Sequence, residues 1–231
     1  MIWSSASHAE GPPAVAPESI VAGIDVGGPR KGYHLAILRQ RQILAVVNST
    51  DPQQILRQCL DAGVSAIAID APSQWTSNAA SHRTIRSAER ALLQAGIHCF
   101  FTPTRERAAA NQSGFYEWMF QGEALYQALA AHYPPARQTQ PSTPFCCETF
   151  PHAITHQALG SETRARLKRS QRSQLLQAIG LADPQLDSID TLDATLCALS
   201  AQAILQGASQ AYGEAEDGFI FVPQREFWGT T

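Results

Sequence analysis

The run Ile20-Val21-Ala22-Gly23-Ile24-Asp25-Val26-Gly27-Gly28 decides the fold. It is apolar apart from one carboxylate and it ends in glycines, the pattern of a buried strand. Tyr33 to Leu38 and Gln42 to Val47 follow it, set apart by turn signals at Gly32 and at Arg39-Gln40-Arg41. Three strands so closely spaced predict an antiparallel meander.

Beyond the meander the period changes. Asp51-Pro52 opens a helix, with Asp as cap and Pro in the first turn, and Gly63 stops it. Val64 to Asp70 reads as a strand closed by Ala71-Pro72. A helix from about Ser81 to Gln94, a short strand from Ile97 to Phe101, an irregular stretch from Thr102 to Ser113 and a helix from about Tyr116 to Ala131 are expected next. Tyr133 to Thr143 reads as a loop and Phe145 to Thr149 as a strand. A basic helix over about Glu162 to Ile179, an Ala- and Leu-rich helix over about Ser188 to Gly207 and a strand Gly218 to Pro223 complete the chain. Strands alternating with helices after a meander predict a mixed α/β sheet with helices on both faces. The expected organisation is a loose tail over 1–19 and a single domain over 20–231, with a helical insertion around 103–143.

Composition narrows the function classes. The chain has 231 residues, 44% of them hydrophobic, 16% charged and 8% aromatic, which supplies a core and excludes disordered, collagenous and coiled-coil proteins. No apolar run approaches the roughly 20 residues that cross a bilayer, so no membrane partner is expected. A net charge of -3 argues against a basic nucleic-acid coat, while leaving local phosphate binding open. Five cysteines, with no Cys-x-x-Cys among them, fit a reduced, cytoplasmic protein. Met1 to Ser19 shows no basic segment leading into an apolar one, so no secretory signal is read there.

The chemistry is expected at carboxylates. Asp25 and Asp70 each end an apolar strand, and Glu148 repeats the pattern before Thr149. A carboxylate in such a place is costly unless it is paired, hydrogen-bonded or holding a metal. Ligands in open α/β sheets bind outside the carboxyl ends of the strands. Asp190 and Asp193, three apart near the start of the last helix, share a face, and the helix dipole alone would accommodate them. Oxygen-rich clusters suit Mg²⁺ or Mn²⁺, and two such ions can drive phosphodiester cleavage.

Other groups compete for a role. Arg164, Arg166, Lys168, Arg169 and Arg172 crowd one helix and could hold phosphates, although a solvated face is the plainer reading. Arg83, Arg86 and Arg90 recur at helical spacing, and Arg86 could hold a phosphate or pair with an acid. Phe115, Tyr116, Trp118 and Phe120 could stack on bases, with core or lid packing the commoner use of such a group. His152 and His156 have zinc-ligand spacing but lack the intervening Glu of a zincin. Neither a dinucleotide fingerprint nor a P-loop is present.

Gly23-Ile24-Asp25-Val26-Gly27-Gly28, Ile69-Asp70-Ala71-Pro72, Arg86-x-x-Glu89-Arg90, Gly122-x-x-Leu125-Tyr126, Glu148-Thr149-Phe150-Pro151-His152, Asp190-x-x-Asp193-Ala194 and Gly218-Phe219-Ile220-Phe221-Val222-Pro223 occur in that order. The set resembles the domain of unknown function 429 family, predicted nucleases of ribonuclease H-like fold, over nearly all of Ile20 to Pro223. The resemblance implies that Asp25 is the first-strand acid of such nucleases. It implies that Asp70 is the acid ending the fourth strand, and Asp190 with Asp193 the pair on the C-terminal helix, as in Holliday-junction resolvases. Glu148 has no firm counterpart there.

The expected function is a metal-dependent nuclease or phosphodiesterase acting on nucleic acid or a small phosphoester. Asp25, Asp70 and Asp193 would hold Mg²⁺ or Mn²⁺, assisted by Asp190 and Glu148, and Arg86, Arg90, Lys168 and Arg172 would contact substrate. Two other classes stay open: a nucleotide-binding phosphotransferase or ATPase on the same core, and a non-catalytic binding module. A shared fold cannot choose between them.

Overall fold

Residues 19–77 and 85–229 are described by the structure, a computed structural model. The tail expected over 1–19 lies, apart from Ser19, outside them, as do Arg83 and the start of the helix expected from Ser81.

The meander forms as expected: β1 (Ile20–Val26), β2 (Tyr33–Arg39) and β3 (Gln42–Ser49) pair antiparallel in succession. Then α1 (Pro52–Asp61) crosses over to β4 (Ala66–Asp70), which lies parallel to β1. The Asp51 carboxylate accepts the Gln53 N–H at 2.9 Å, a cap worth about 1 kcal/mol. Next come α2 (Ser87–Gln94), α3 (Arg105–Ala109), α4 (Glu117–Leu129) and β5 (Phe145–Glu148). The chain closes with α5 (Pro151–Leu159), α6 (Lys168–Ala178), α7 (Ile189–Leu205), β6 (Ser209–Glu214) and β7 (Gly218–Pro223).

Among the described residues, seven strands make one sheet in the order β3-β2-β1-β4-β5-β7-β6. The side antiparallel at β3-β2-β1 gives way to parallel pairing across β1, β4, β5 and β7, and β6 adds an antiparallel edge. This is a mixed α/β sheet consistent with the ribonuclease H-like arrangement. Alternation along the strands sorts the core onto two faces. Val21, Ala66, Ala68 and Cys147 pack with α5, α6 and α7, while Ala22, Ile67, Ile69 and Cys146 pack with α1 and α4. The adjacent cysteines thus point to opposite sides, and all five cysteines are free.

The structure departs from the sequence expectation in four places. Residues 97–101 form no strand: among the described residues no strand pairs its backbone with them, and Phe100 and Phe101 both face out. The basic helix begins at Lys168, preceded by 3₁₀ turns at Gly160–Glu162 and Ala165–Leu167. Pro151 starts α5 directly after β5, a helix absent from the expected order, which runs from the strand ending at Thr149 to the basic helix. The last omission is β6, whose Ser209-Gln-Ala-Tyr-Gly-Glu lacks apolar alternation and is extended only because β7 pairs with it. No helix among the described residues is long and apolar enough to cross a membrane.

Candidate functional site

In the parallel ladder Asp25 of β1 stands opposite Asp70 of β4, both at the carboxyl ends of their strands. The pleat sends both side chains to the face covered by α7, the side shared by Val21, Ala66 and Ala68. Gly23, two residues before Asp25, sets how near α7 comes. A Cβ there would stand 2.0 Å from both the Ala194 carbonyl oxygen and the Ala198 nitrogen. Only a residue without a side chain allows that approach, and it delivers Asp193, one turn into α7, to the strand pair. Ser188 caps the helix by accepting the Thr191 N–H, fixing where its first turn falls. Opposite, Gly122 of α4 lets that helix approach Ala71, and the Tyr126 hydroxyl donates to the Ala71 carbonyl at 3.2 Å. The backbone just after Asp70 is thereby held.

The result is a cluster in which Asp25, Asp70 and Asp193 each place a carboxylate oxygen within 4.8 Å of the others. Asp193 is buried and the other two are partly so. Burial, followed by the charges of Asp193 and Asp190, pushes Asp25 up to about 8. Burial and then the Asp25 charge raise Asp70 well above the carboxylate range. Asp193 rises to about 6 through burial, with Arg172 opposing the shift. Among the described residues no group donates a hydrogen bond to the Asp25 or Asp70 carboxylate. An all-oxygen set of mutually repelling, underpartnered carboxylates fits a hard divalent cation.

Cations border the cluster. Arg172 reaches from α6 and one of its Nη atoms donates to both oxygens of Asp193; the pair is buried. Arg172 Nε is also buried and has no partner among the described residues. Asp190 stands apart from the three. It receives the Lys31 ammonium at 2.9 and 3.1 Å, and the His34 ring lies 3.6 Å away. Lys31 sits in the turn joining β1 to β2, and His34 is the register partner of Asp25. Burial holds the His34 pKa below its usual value, against the pull of Asp190. The sequence reading missed both residues, although His34 was within its reach: an antiparallel meander places a residue of β2 opposite Asp25.

Glu148 lies outside the cluster. Arg86 donates to its two oxygens at 2.8 and 2.6 Å, and the Ser73 N–H and hydroxyl add bonds of 2.8 and 3.1 Å. Arg86 also binds Glu89 at 2.9 Å, and Glu89 accepts the Thr102 N–H at 2.9 Å. All three charged groups are buried, so the network ties the loop after Asp70 and the strap before α3 to the sheet. Arg86 is thus committed to acids of the chain, the second of the two readings the sequence offered.

Arg90 is exposed on α2, and Lys168, exposed at the start of α6, is close enough to lower Asp193 electrostatically. The rest of the basic stripe is partly spent on structure: Arg164 donates to the Ser161 and Thr163 carbonyls and Arg169 to that of Asp187. His152 and His156 are on α5, and burial lowers the His152 pKa. Of the aromatic group, Phe115 is exposed, while Tyr116, Trp118 and Phe120 are partly buried.

Carboxylates gathered at the carboxyl ends of two central parallel strands, with a third supplied by a covering helix, define an α/β protein with a buried acidic site. The chain belongs to the family described as Protein of unknown function (DUF429), whose model matches residues 23–217. That span contains Asp25, Asp70, Glu148, Asp190 and Asp193. No curated protein and no solved structure matches the chain.

Proposed function

We propose that this protein is a divalent-metal-dependent phosphodiesterase, with nucleic acid the substrate class its acidic site serves. The observation that carries the reading is the convergence of Asp25, Asp70 and Asp193 within 4.8 Å, from three different elements, with no hydrogen-bond donor to Asp25 or Asp70 among the described residues. Those three residues would hold Mg²⁺ or Mn²⁺. Such an ion supplies Lewis acidity toward a phosphoryl oxygen and activates water near neutral pH. The chain contributes the rest. Arg172 fixes the Asp193 carboxylate and balances part of its charge. Lys31, exposed at the rim and tethered to Asp190, is positioned to take a phosphate oxygen without leaving the site. His34, held toward its neutral form, can accept a proton beside Asp190.

Mn²⁺ titration calorimetry on the wild type, Asp25→Asn and Asp70→Asn tests this directly, followed by a panel of single-stranded, duplex and branched nucleic acids. Binding by the wild type, loss in both folded variants and metal-dependent cleavage are expected. Equal binding by all three proteins would sink the site assignment. Asp193→Asn is a poorer probe, because it strands Arg172 as well.

The buried Arg172–Asp193 pair favours one competing reading, a non-catalytic module whose acids form a structural charge network. That reading expects no Mn²⁺ heat and no cleavage of any substrate in the panel.

A further inference from the structure

Three phenylalanines stand in water. Phe100 is 67% exposed, Phe101 46% and Phe115 51%. Phe100 and Phe115 come from separate segments, yet their rings meet edge to face with centroids 5.8 Å apart, and Phe115 meets Tyr116 at 5.0 Å. Scattered exposed apolar residues are ordinary, whereas rings gathered from two segments into one patch mark a contact surface.

The patch is held in place. Phe100 and Phe101 ride on the strap between Ile97, which is buried in the core, and Thr102, whose N–H is bound by Glu89 and whose carbonyl accepts the Thr76 hydroxyl. Both ends of the strap are therefore pinned while its two rings project. The strap leads into α3, where Arg105 is paired with Glu123 at 2.9 Å and Arg107 is exposed beside Glu106.

At Phe100 the patch reaches a cavity that Asp70 also lines. This cavity runs from Asp70 to Phe100, with Trp118, Met119 and Phe150 along its wall. Its volume is about 40 Å³, room for little more than a water molecule and far too small for a nucleobase. The cavity admits neither a base nor a phosphate, so a nucleotide drawn to the carboxylates stays outside it, with its base against the surface that carries Phe100.

We propose, building on the phosphodiesterase reading above, that Phe100 and Phe115 form a stacking platform for unpaired bases, so that the substrate is single-stranded nucleic acid. A base inside a duplex has both faces covered by its neighbours. Only an unpaired base can turn a face to these rings, and such stacking tolerates any sequence. A small phosphoester without a base gains nothing from the patch.

Fluorescence anisotropy of a labelled oligothymidylate, against a duplex containing the same strand, reads the platform. The measurement is made on the protein with its carboxylates intact, in EDTA, so that metal-dependent cleavage does not consume the probe. The single strand binds more tightly than the duplex. Phe100→Ala and Phe115→Ala each weaken single-strand binding by about tenfold, and Phe100→Tyr keeps it. In the otherwise wild-type protein the same ring substitutions leave Mn²⁺ affinity unchanged. Equal affinity for strand and duplex, or indifference to both alanine variants, overturns the platform. So does a dimer in sedimentation velocity that Phe100→Ala dissolves, since the patch would then belong to a second copy of the chain. The two proposals fail separately. Ring-dependent strand binding without metal binding or cleavage refutes the catalysis alone, and metal-dependent cleavage with ring-independent binding refutes the platform alone.

Discussion

Arg172 and Asp193 show how one side chain changes meaning with its surroundings. In a basic helix Arg172 reads as a phosphate contact, yet it turns inward and pairs with a buried acid. Removing either partner leaves the other charge buried and alone, which typically costs about 3–5 kcal/mol, whereas replacing both by apolar groups of similar size is often close to neutral. Arg172→Met should therefore lower stability by about that amount, and Arg172→Met with Asp193→Leu should recover most of the loss in urea denaturation. If the double variant is as unstable as the single, the pair is not what places Arg172. The same arginine opposes the rise in the Asp193 pKa, so it favours the ionised carboxylate while competing with a cation for its oxygens.

At the scale of elements, the site depends on how closely α7 lies against β1. That distance is set by Gly23, whose missing side chain admits the Ala194 carbonyl and the Ala198 nitrogen. A methyl group has no room at 2.0 Å from either atom, so Gly23→Ala must push the helix outward. We expect a loss of about 1–3 kcal/mol in stability, as overpacking usually costs. Mn²⁺ affinity should fall by more than tenfold, because Asp193 moves with the helix while Asp25 and Asp70 stay on the sheet. Calorimetry of this variant separates positioning from ligation, since no carboxylate is altered. Unchanged Mn²⁺ affinity would show that α7 contributes nothing to the ion.

Across the whole molecule, the clustered acids make stability depend on pH. A carboxylate whose folded pKa lies above its unfolded value binds more protons when folded, so unfolding becomes easier as pH rises through that interval. For Asp25 the interval runs from its ordinary 3.8 to about 8, with Asp193 adding a contribution up to about 6. The depressed histidines His34 and His152 act in the opposite sense, destabilising the fold only below about pH 6.5. The buried thiols begin to contribute near pH 9, as they ionise first in the unfolded chain. Between about pH 6.5 and 8.5 the metal-free protein should thus lose melting temperature steadily, and Asp25→Asn should flatten the slope. Saturating Mn²⁺ should flatten it too, because the ion binds the deprotonated acids more tightly as pH rises. A melting temperature that climbs over this window in EDTA would refute the assignment of buried, mutually repelling carboxylates.

Periodicity and punctuation carried much of this protein by themselves. The apolar run ending at Gly27-Gly28, the short turns of the meander, Asp51-Pro52 and the Ala- and Leu-rich stretch of α7 are local signals, and local physics reads them. Acids that end apolar strands are legible for the same reason: burial makes a carboxylate there conspicuous. The edge strand β6 was not legible, because its extension comes from pairing with β7 rather than from its own residues. Nor could one sequence say that Glu148 would be taken by Arg86 and Ser73, that Arg172 would face Asp193, or that Phe100 would find Phe115. Those are contacts between segments distant in the chain. The sequence determined which groups need a partner, and the tertiary structure decided which partner each received, because hydrogen bonds and ion pairs depend on distances that only the packed sheet and helices define.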